Sequence, residues 1–186
     1  MDAAQLIEVT QLLDRLAALP RTGWLLRGVH PAESIAEHTL GVAVVAAMLV
    51  DDARARGAAV DGERVLRMAL VHDAAEAFTG DIPMPAKTDA LDHALAEAER
   101  AHLAKALPPA MLALWDEAEA MSTLEARIVK AADKLQMLVK ALSYEEQGRG
   151  RLHEFWANPA SRKDMGLELA KAVFAELDRR AAVVRR

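Results

Sequence analysis

The chain has 186 residues, 53% of them hydrophobic and 27% charged, which suits one globular domain and excludes a disordered polar tail. A chain of this length buries roughly 70% of the surface it would expose unfolded, and with no cysteine it has no disulfide scaffold, thiolate zinc site or cysteine nucleophile. Lys and Arg number 23 against 28 Asp and Glu, a net charge of −5, so nucleic acid and anionic membranes lack their usual electrostatic pull and a small-molecule partner is expected.

The stretch from Asp2 to Glu8 has neither the basic start nor the unbroken apolar core of a signal peptide. The longest apolar run, from Thr39 to Val50, falls well short of the roughly 20 residues of a membrane span, so the expected setting is cytoplasmic. Apolar residues recur at helical spacing from Leu6, Val9, Leu13 and Leu16 onward, without strand-like alternation. An all-α helical bundle in a single domain over residues 1–186 is therefore expected. A loop from Pro20 to Pro31 follows the first helix, Ser34 and Glu37 form a capping box, and Gly57 to Gly62 separate the next helix. That third helix is predicted over about 63–80, ended by Gly80, Pro83 and Pro85. A helix over about 89–107 stops at Pro108 and Pro109, and a short one covers about 111–119. Ser122 and Glu125 form a second capping box for a long helix reaching about 146, before Gly148 and Gly150. The last helix is predicted over about 163–184; the arginines Arg179, Arg180, Arg185 and Arg186 around its end suit the helix dipole as solvated charges.

Three ionisable side chains, His72, Asp73 and Glu76, interrupt an otherwise apolar segment, and burying charge there is costly unless something pairs with it. On a continuous helix His72 and Glu76 share a face while Asp73 points about 100° away. An ion shared by His72 and Asp73 must then sit between their two directions, with further ligands from other helices. His38, in the first turn of the apolar helix, and Asp133, flanked by Val129 and Met137, have the required character. A carboxylate in such company is expected to be buried and to ask for a cation. Taken singly, each histidine is an ordinary hydrogen-bonded core residue; together, two imidazoles and two carboxylates make a mixed nitrogen and oxygen site for a divalent metal.

The pattern of His38, His72-Asp73 and Asp133 resembles the HD-domain metal-dependent phosphohydrolases, an all-helical superfamily. Within it, Leu19-Pro20-Arg21-Thr22-Gly23-Trp24, Glu37-His38, His72-Asp73-x-x-Glu76, Thr79-Gly80-Asp81-Ile82-Pro83 and Lys130-x-x-Asp133, spread over about residues 10–150, are similar to the YfbR-type 5′-deoxynucleotidases. The resemblance implies hydrolysis of deoxyribonucleoside 5′-monophosphates to deoxynucleoside and phosphate, a divalent cation such as Co2+, Mn2+ or Mg2+, and a homodimer, for which exposed Leu, Met and Val on the terminal helices offer a surface. It implies His38, His72, Asp73 and Asp133 as metal ligands and Glu76 as the group that orients or deprotonates water. Asp81 is implied as a further catalytic and substrate-binding group, and Glu76, Asp81 and the Ile82 carbonyl as holders of a second, looser magnesium. Trp24 matches a tryptophan that packs against the sugar and disfavours a ribose 2′-hydroxyl. Some relatives carry arginine directly before it, where this chain has Gly23, which leaves phosphate binding to Arg21 or Arg27.

Cyclic-nucleotide phosphodiesterases share the pattern, but many have lysine four residues after the histidine and extra histidines for two metals. Glu76 occupies that position here, and His93 and His102 lie about half a turn apart on their helix. Hydrolysis of nucleoside triphosphates and a non-catalytic, metal-bound nucleotide-sensing module are the remaining alternatives. No side chain stands out as a reader of the nucleobase.

Overall fold

In the computed structural model, which describes residues 2–86 and 88–185, every regular element is helical and the chain is all-α as expected. Asp2 caps α1 (Ala3–Asp14), which tightens into a 3-10 turn at Arg15–Ala17. The region expected as a loop between Pro20 and Pro31 contains a one-turn helix, α2 (Thr22–Leu25). An isolated antiparallel bridge joins Pro20 and Ser34, with the Arg21 N–H donating to the Glu33 carbonyl and the Ile35 N–H to the Leu19 carbonyl, both at 2.9 Å. These bonds fasten the Arg21 segment to the start of α3 (Ile35–Ala55). The expected capping box opens α3: Ser34 Oγ accepts from the Glu37 N–H and the Glu37 carboxylate accepts from the Ser34 N–H.

The helix predicted over 63–80 is broken. Helix α4 (Gly62–Val71) ends just before His72, residues 72–75 form turns, and α5 (Glu76–Thr79) resumes as a separate short helix closed by Gly80 at φ 70°. The cause is local competition for hydrogen bonds. His72 Nδ1 lies 2.7 Å from the Ala69 carbonyl, and the following amides of Ala74, Glu76 and Ala77 bond three residues back rather than four. Helix α6 (Asp89–Ala106) is capped by Thr88, and α7 (Pro109–Ala120) begins on proline and ends at Met121, whose φ of 50° is the left-handed value usual at a helix end. Thr123, not the predicted Ser122, caps α8 (Leu124–Glu146); Glu125 instead accepts from the Asp61 N–H across at the start of α4. A short α9 (His153–Ala157) and a 3-10 turn at Pro159–Arg162 precede α10 (Glu168–Val184). This last helix starts later than the predicted 163, because Met165 and Gly166 take φ of 55° and 78°.

Helix α8 is the axis of the molecule, with α3, α4, α7 and α10 packed around it. Its alanines Ala131, Ala132 and Ala141 are buried among Ile128, Leu135 and Leu138, so neighbouring helices approach closely, and each large apolar side chain buried there contributes about 1.5–3 kcal/mol. By contrast α6 lies at the edge: among its described residues only Leu103 is buried. No helix among the described residues is long and apolar enough to cross a membrane.

Replacing Ser34 with alanine should cost about 1 kcal/mol of stability, measured by denaturant titration. The backbone N–H and hydroxyl of Ser34 hold the Glu37 carboxyl below its ordinary value of 4.5. The advantage of wild type over Ser34→Ala is therefore present in full above pH 4.5 and shrinks as pH falls through the lowered Glu37 pKa.

Candidate metal centre

Helix α3 delivers His38 one turn after its capping box, the break after α4 delivers His72 and Asp73, and the middle of α8 delivers Asp133. One ligand atom each from His38, His72 and Asp133 lies within 4.8 Å of the others. Asp73 Oδ2 stands 3.2 Å from His72 Nε2 and 3.5 Å from His38 Nε2, and Asp133 Oδ1 stands 3.5 Å from His38 Nε2. The four residues singled out in the sequence thus meet in one place. Adjacent in the turns after α4, His72 and Asp73 still bring Nε2 and Oδ2 within 3.2 Å of each other.

Both imidazoles are oriented through Nδ1. His38 Nδ1 is 2.5 Å from Gln136 Oε1, and His72 Nδ1 is 2.7 Å from the Ala69 carbonyl. Carbonyl oxygens only accept, so Nδ1 carries a proton on each ring and Nε2 is the nitrogen left to face a metal. Both Nε2 atoms are buried and without a hydrogen-bond partner. Ligands about 2.1 Å from an ion, at octahedral to tetrahedral angles, stand roughly 3.0–3.4 Å apart. The spacings of 3.2 to 3.5 Å and the orphaned nitrogens therefore fit a divalent cation.

Burial would push the Asp133 carboxyl up, but Lys134 at 3.2 Å, the His38 ring and Lys130 at 3.3 Å hold it well below the usual carboxylate range. Burial is likewise outweighed at Asp73, which His72, His38 and Arg21 keep ionised. The Arg21 guanidinium, itself disfavoured by burial, is held in its charged form by Asp73, Asp81 and Glu76. Its Nη1 stands 3.4 Å from Asp73, 3.7 Å from Asp81 and 4.0 Å from Glu76. Arg21 therefore lies among the carboxylates expected to hold a second magnesium, and a cation bridging Glu76 and Asp81 would have to displace it. Asp81 Oδ2 also accepts from the Thr22 and Gly23 N–H groups at the start of α2, and Ile82 follows it in an extended, half-buried stretch.

Trp24 and Arg27, both expected to bind substrate, have partners within the protein. Trp24 is 2% exposed, stacked on Phe155 with ring centres 4.3 Å apart and edge-on to Tyr144. The ring is thus packed inside the fold, and its Nε1 donates to Glu33 at 2.9 Å. Arg27, the alternative phosphate ligand, pairs with Glu154 of α9 instead of joining the metal ligands, whereas Arg21 is in place. His93 is exposed and His102 stacks on Phe78, so neither supplies the centre. Sequence reasoning passed over Lys134, Gln136 and Glu33. A polar residue one turn beyond Asp133 in an apolar run was the available signal for Gln136; Lys134 and Glu33 look like ordinary surface charges.

The fold agrees with similarity to known proteins. The chain belongs to the HD domain family, which it matches over residues 13–169. It is similar to the 5′-deoxynucleotidase HDDC2 of Xenopus laevis, 37% identical over 84% of this chain and 79% of that protein, and to the human protein of the same name, 34% identical over 86% and 79%. Among solved structures, the PH0347 protein of Pyrococcus horikoshii superposes with a TM-score of 0.78, at 38% identity and covering 95% of this chain and 98% of that one.

Asp133→Asn and His38→Ala should each weaken Mn2+ binding by more than the roughly 10–100-fold typical of losing an outer-sphere partner, read by titration calorimetry on protein whose helical circular dichroism is retained. Unchanged affinity would remove that residue from the ligand set.

Proposed function

We propose that this protein is a metal-dependent 5′-deoxynucleotidase, hydrolysing deoxyribonucleoside 5′-monophosphates to deoxynucleoside and phosphate. The observation that carries the reading is the placement of Arg21 and Glu76 beside the cluster of His38, His72, Asp73 and Asp133, a phosphate-binding cation and a proton acceptor next to a metal centre. The substrate class is supported by the relatives named for that activity, which align along most of the chain.

A divalent cation held by His38, His72, Asp73 and Asp133 would neutralise phosphoryl charge and lower the pKa of water. Two nitrogens and two carboxylate oxygens suit Mn2+ or Co2+ better than an all-oxygen Mg2+ site would. Arg21 binds phosphate oxygens, its fork-shaped donor set matched to a phosphate edge. Glu76 takes the proton from the attacking water as the new bond to phosphorus forms and the bond to the 5′-oxygen breaks, and returns that proton to the 5′-oxygen, which leaves as the hydroxyl of the deoxynucleoside. Asp81 keeps Arg21 and the start of α2 in place. Trp24 serves from behind, fixing the turn that carries Arg21, so discrimination against a ribose is assigned to the shape of that turn. The protein is taken to work in the cytoplasm as a homodimer, with exposed Leu6 on α1 and Val183 and Val184 on α10 as the expected apolar surface and exposed Leu40, Val44 and Met48 on one face of α3 as a further one.

Protein stripped of metal and resupplied with Co2+, Mn2+ or Mg2+ should release phosphate from deoxyribonucleoside monophosphates, and not from cyclic nucleotides or triphosphates. Metal-replete protein that releases none would overturn the reading. Glu76→Gln should keep its metal and lose about 10²–10⁴ in kcat; a variant with near-normal turnover would take Glu76 out of the mechanism.

A further inference from the structure

We propose that Gln136, held by Glu33 and admitted by Gly41, is a positioning residue that fixes the tautomer of His38 and so makes its Nε2 available to metal. The inference rests on His38 as a ligand of the centre described above. Glu33 is 4% exposed, and two N–H donors and an ammonium face its carboxylate: Trp24 Nε1 at 2.9 Å on Oε1, Gln136 Nε2 at 3.1 Å and Lys140 Nζ at 3.5 Å on Oε2. Its oxygens are thus acceptors, and they settle which way the Gln136 amide points. The NH2 end must meet Glu33, since the reverse orientation would set a carbonyl oxygen against a carboxylate oxygen. Oε1 is then left to accept from His38 Nδ1, 2.5 Å away, which puts a ring proton on Nδ1 and leaves Nε2 as the nitrogen that faces the metal. Polarity runs one way along the chain of bonds, from buried carboxylate through amide to imidazole.

Gly41 gives this arrangement its room. A glycine in a helix interior costs about 1 kcal/mol relative to alanine, yet Gly41 sits in α3, three residues beyond His38. A Cβ built there would meet Gln136 Cγ at 2.7 Å and Nε2 at 3.0 Å. The missing methyl is the notch in which the α8 amide lies against α3. His72 needs no such device, because its Nδ1 partner is a backbone carbonyl. The tautomer of His38 alone depends on a side chain.

The test reads the metal-free protein first. Nitrogen-15 NMR of the imidazoles should show His38 protonated at Nδ1 in wild type, with that Nδ1 proton lost in Gln136→Met and in Gly41→Ala. Glu33→Gln, whose amide oxygen can satisfy only one of the two N–H donors, should shift it in the same direction. In each variant Mn2+ affinity by calorimetry should fall roughly 10–100-fold. Gly41→Ala keeps every polar group and adds a better helix former, so its loss of affinity cannot come from a weaker helix. Folded Gln136→Met and Gly41→Ala proteins with the wild-type His38 tautomer and metal affinity would overturn the proposal, as would a His38→Ala protein that binds Mn2+ normally. Neither readout uses a nucleotide, so absence of phosphate release would overturn the nucleotidase reading and leave this one standing.

Discussion

Two carboxylates crowded into a buried space repel one another, and the fold has to supply positive charge before any ion arrives. It does so from two sides. Lys130 and Lys134 face Asp133 from the same helix, and Arg21 reaches Asp73 from the loop before α2. Much of the architecture serves that balance. The bridge between Pro20 and Ser34 exists where Arg21 must be fastened to α3, and Asp81 steadies the same loop from the opposite direction. A centre built this way tolerates the metal-free state because its own cations remain close.

How far the sequence disclosed this depended on whether the cause was local. The capping box at Ser34, the stop at Pro108 and the end of α8 before Gly148 were legible because each is decided by neighbours in the chain. The break at His72 was not, since it turns on a side chain taking the Ala69 carbonyl that a continuing helix would use. The cap of α8 moved to Thr123 because Glu125 is drawn to Asp61, more than sixty residues earlier. Similarly, the burial of Trp24 is decided by Phe155 and Tyr144 from the far end of the chain. Among site residues, His38, His72, Asp73 and Asp133 stood out as ionisable groups in apolar runs. Arg21 was reached through resemblance, and geometry then separated it from Arg27. Gln136 and Lys134 needed the structure, because polar residues on a long helix look the same whether they face water or a buried ring.

The centre also divides labour between rigid and adjustable parts. Asp133 and His38 stand on the two helices with the most extensive mutual packing, where a small displacement would disturb many buried contacts. Glu76 and Asp81 stand on the one-turn α5 and the extended stretch after it, beside the peripheral α6. Metal affinity is thus tied to the core, while the groups assigned to proton transfer and loop anchoring belong to a region with less buried apolar surface, the kind that opens at lower free energy.

The position of Asp133 on α8 has a consequence for how the protein comes into being. Roughly 60 residues separate His72 from Asp133, and at about 5–20 residues per second a ribosome needs several seconds to pass from one to the other. During that interval the nascent chain holds both histidines but neither the last carboxylate nor the helix around which the others pack. Coordination is therefore among the last things the emerging chain acquires, arriving together with the central helix and not before it. Any product truncated ahead of α8 lacks the axis and the Asp133 ligand at once.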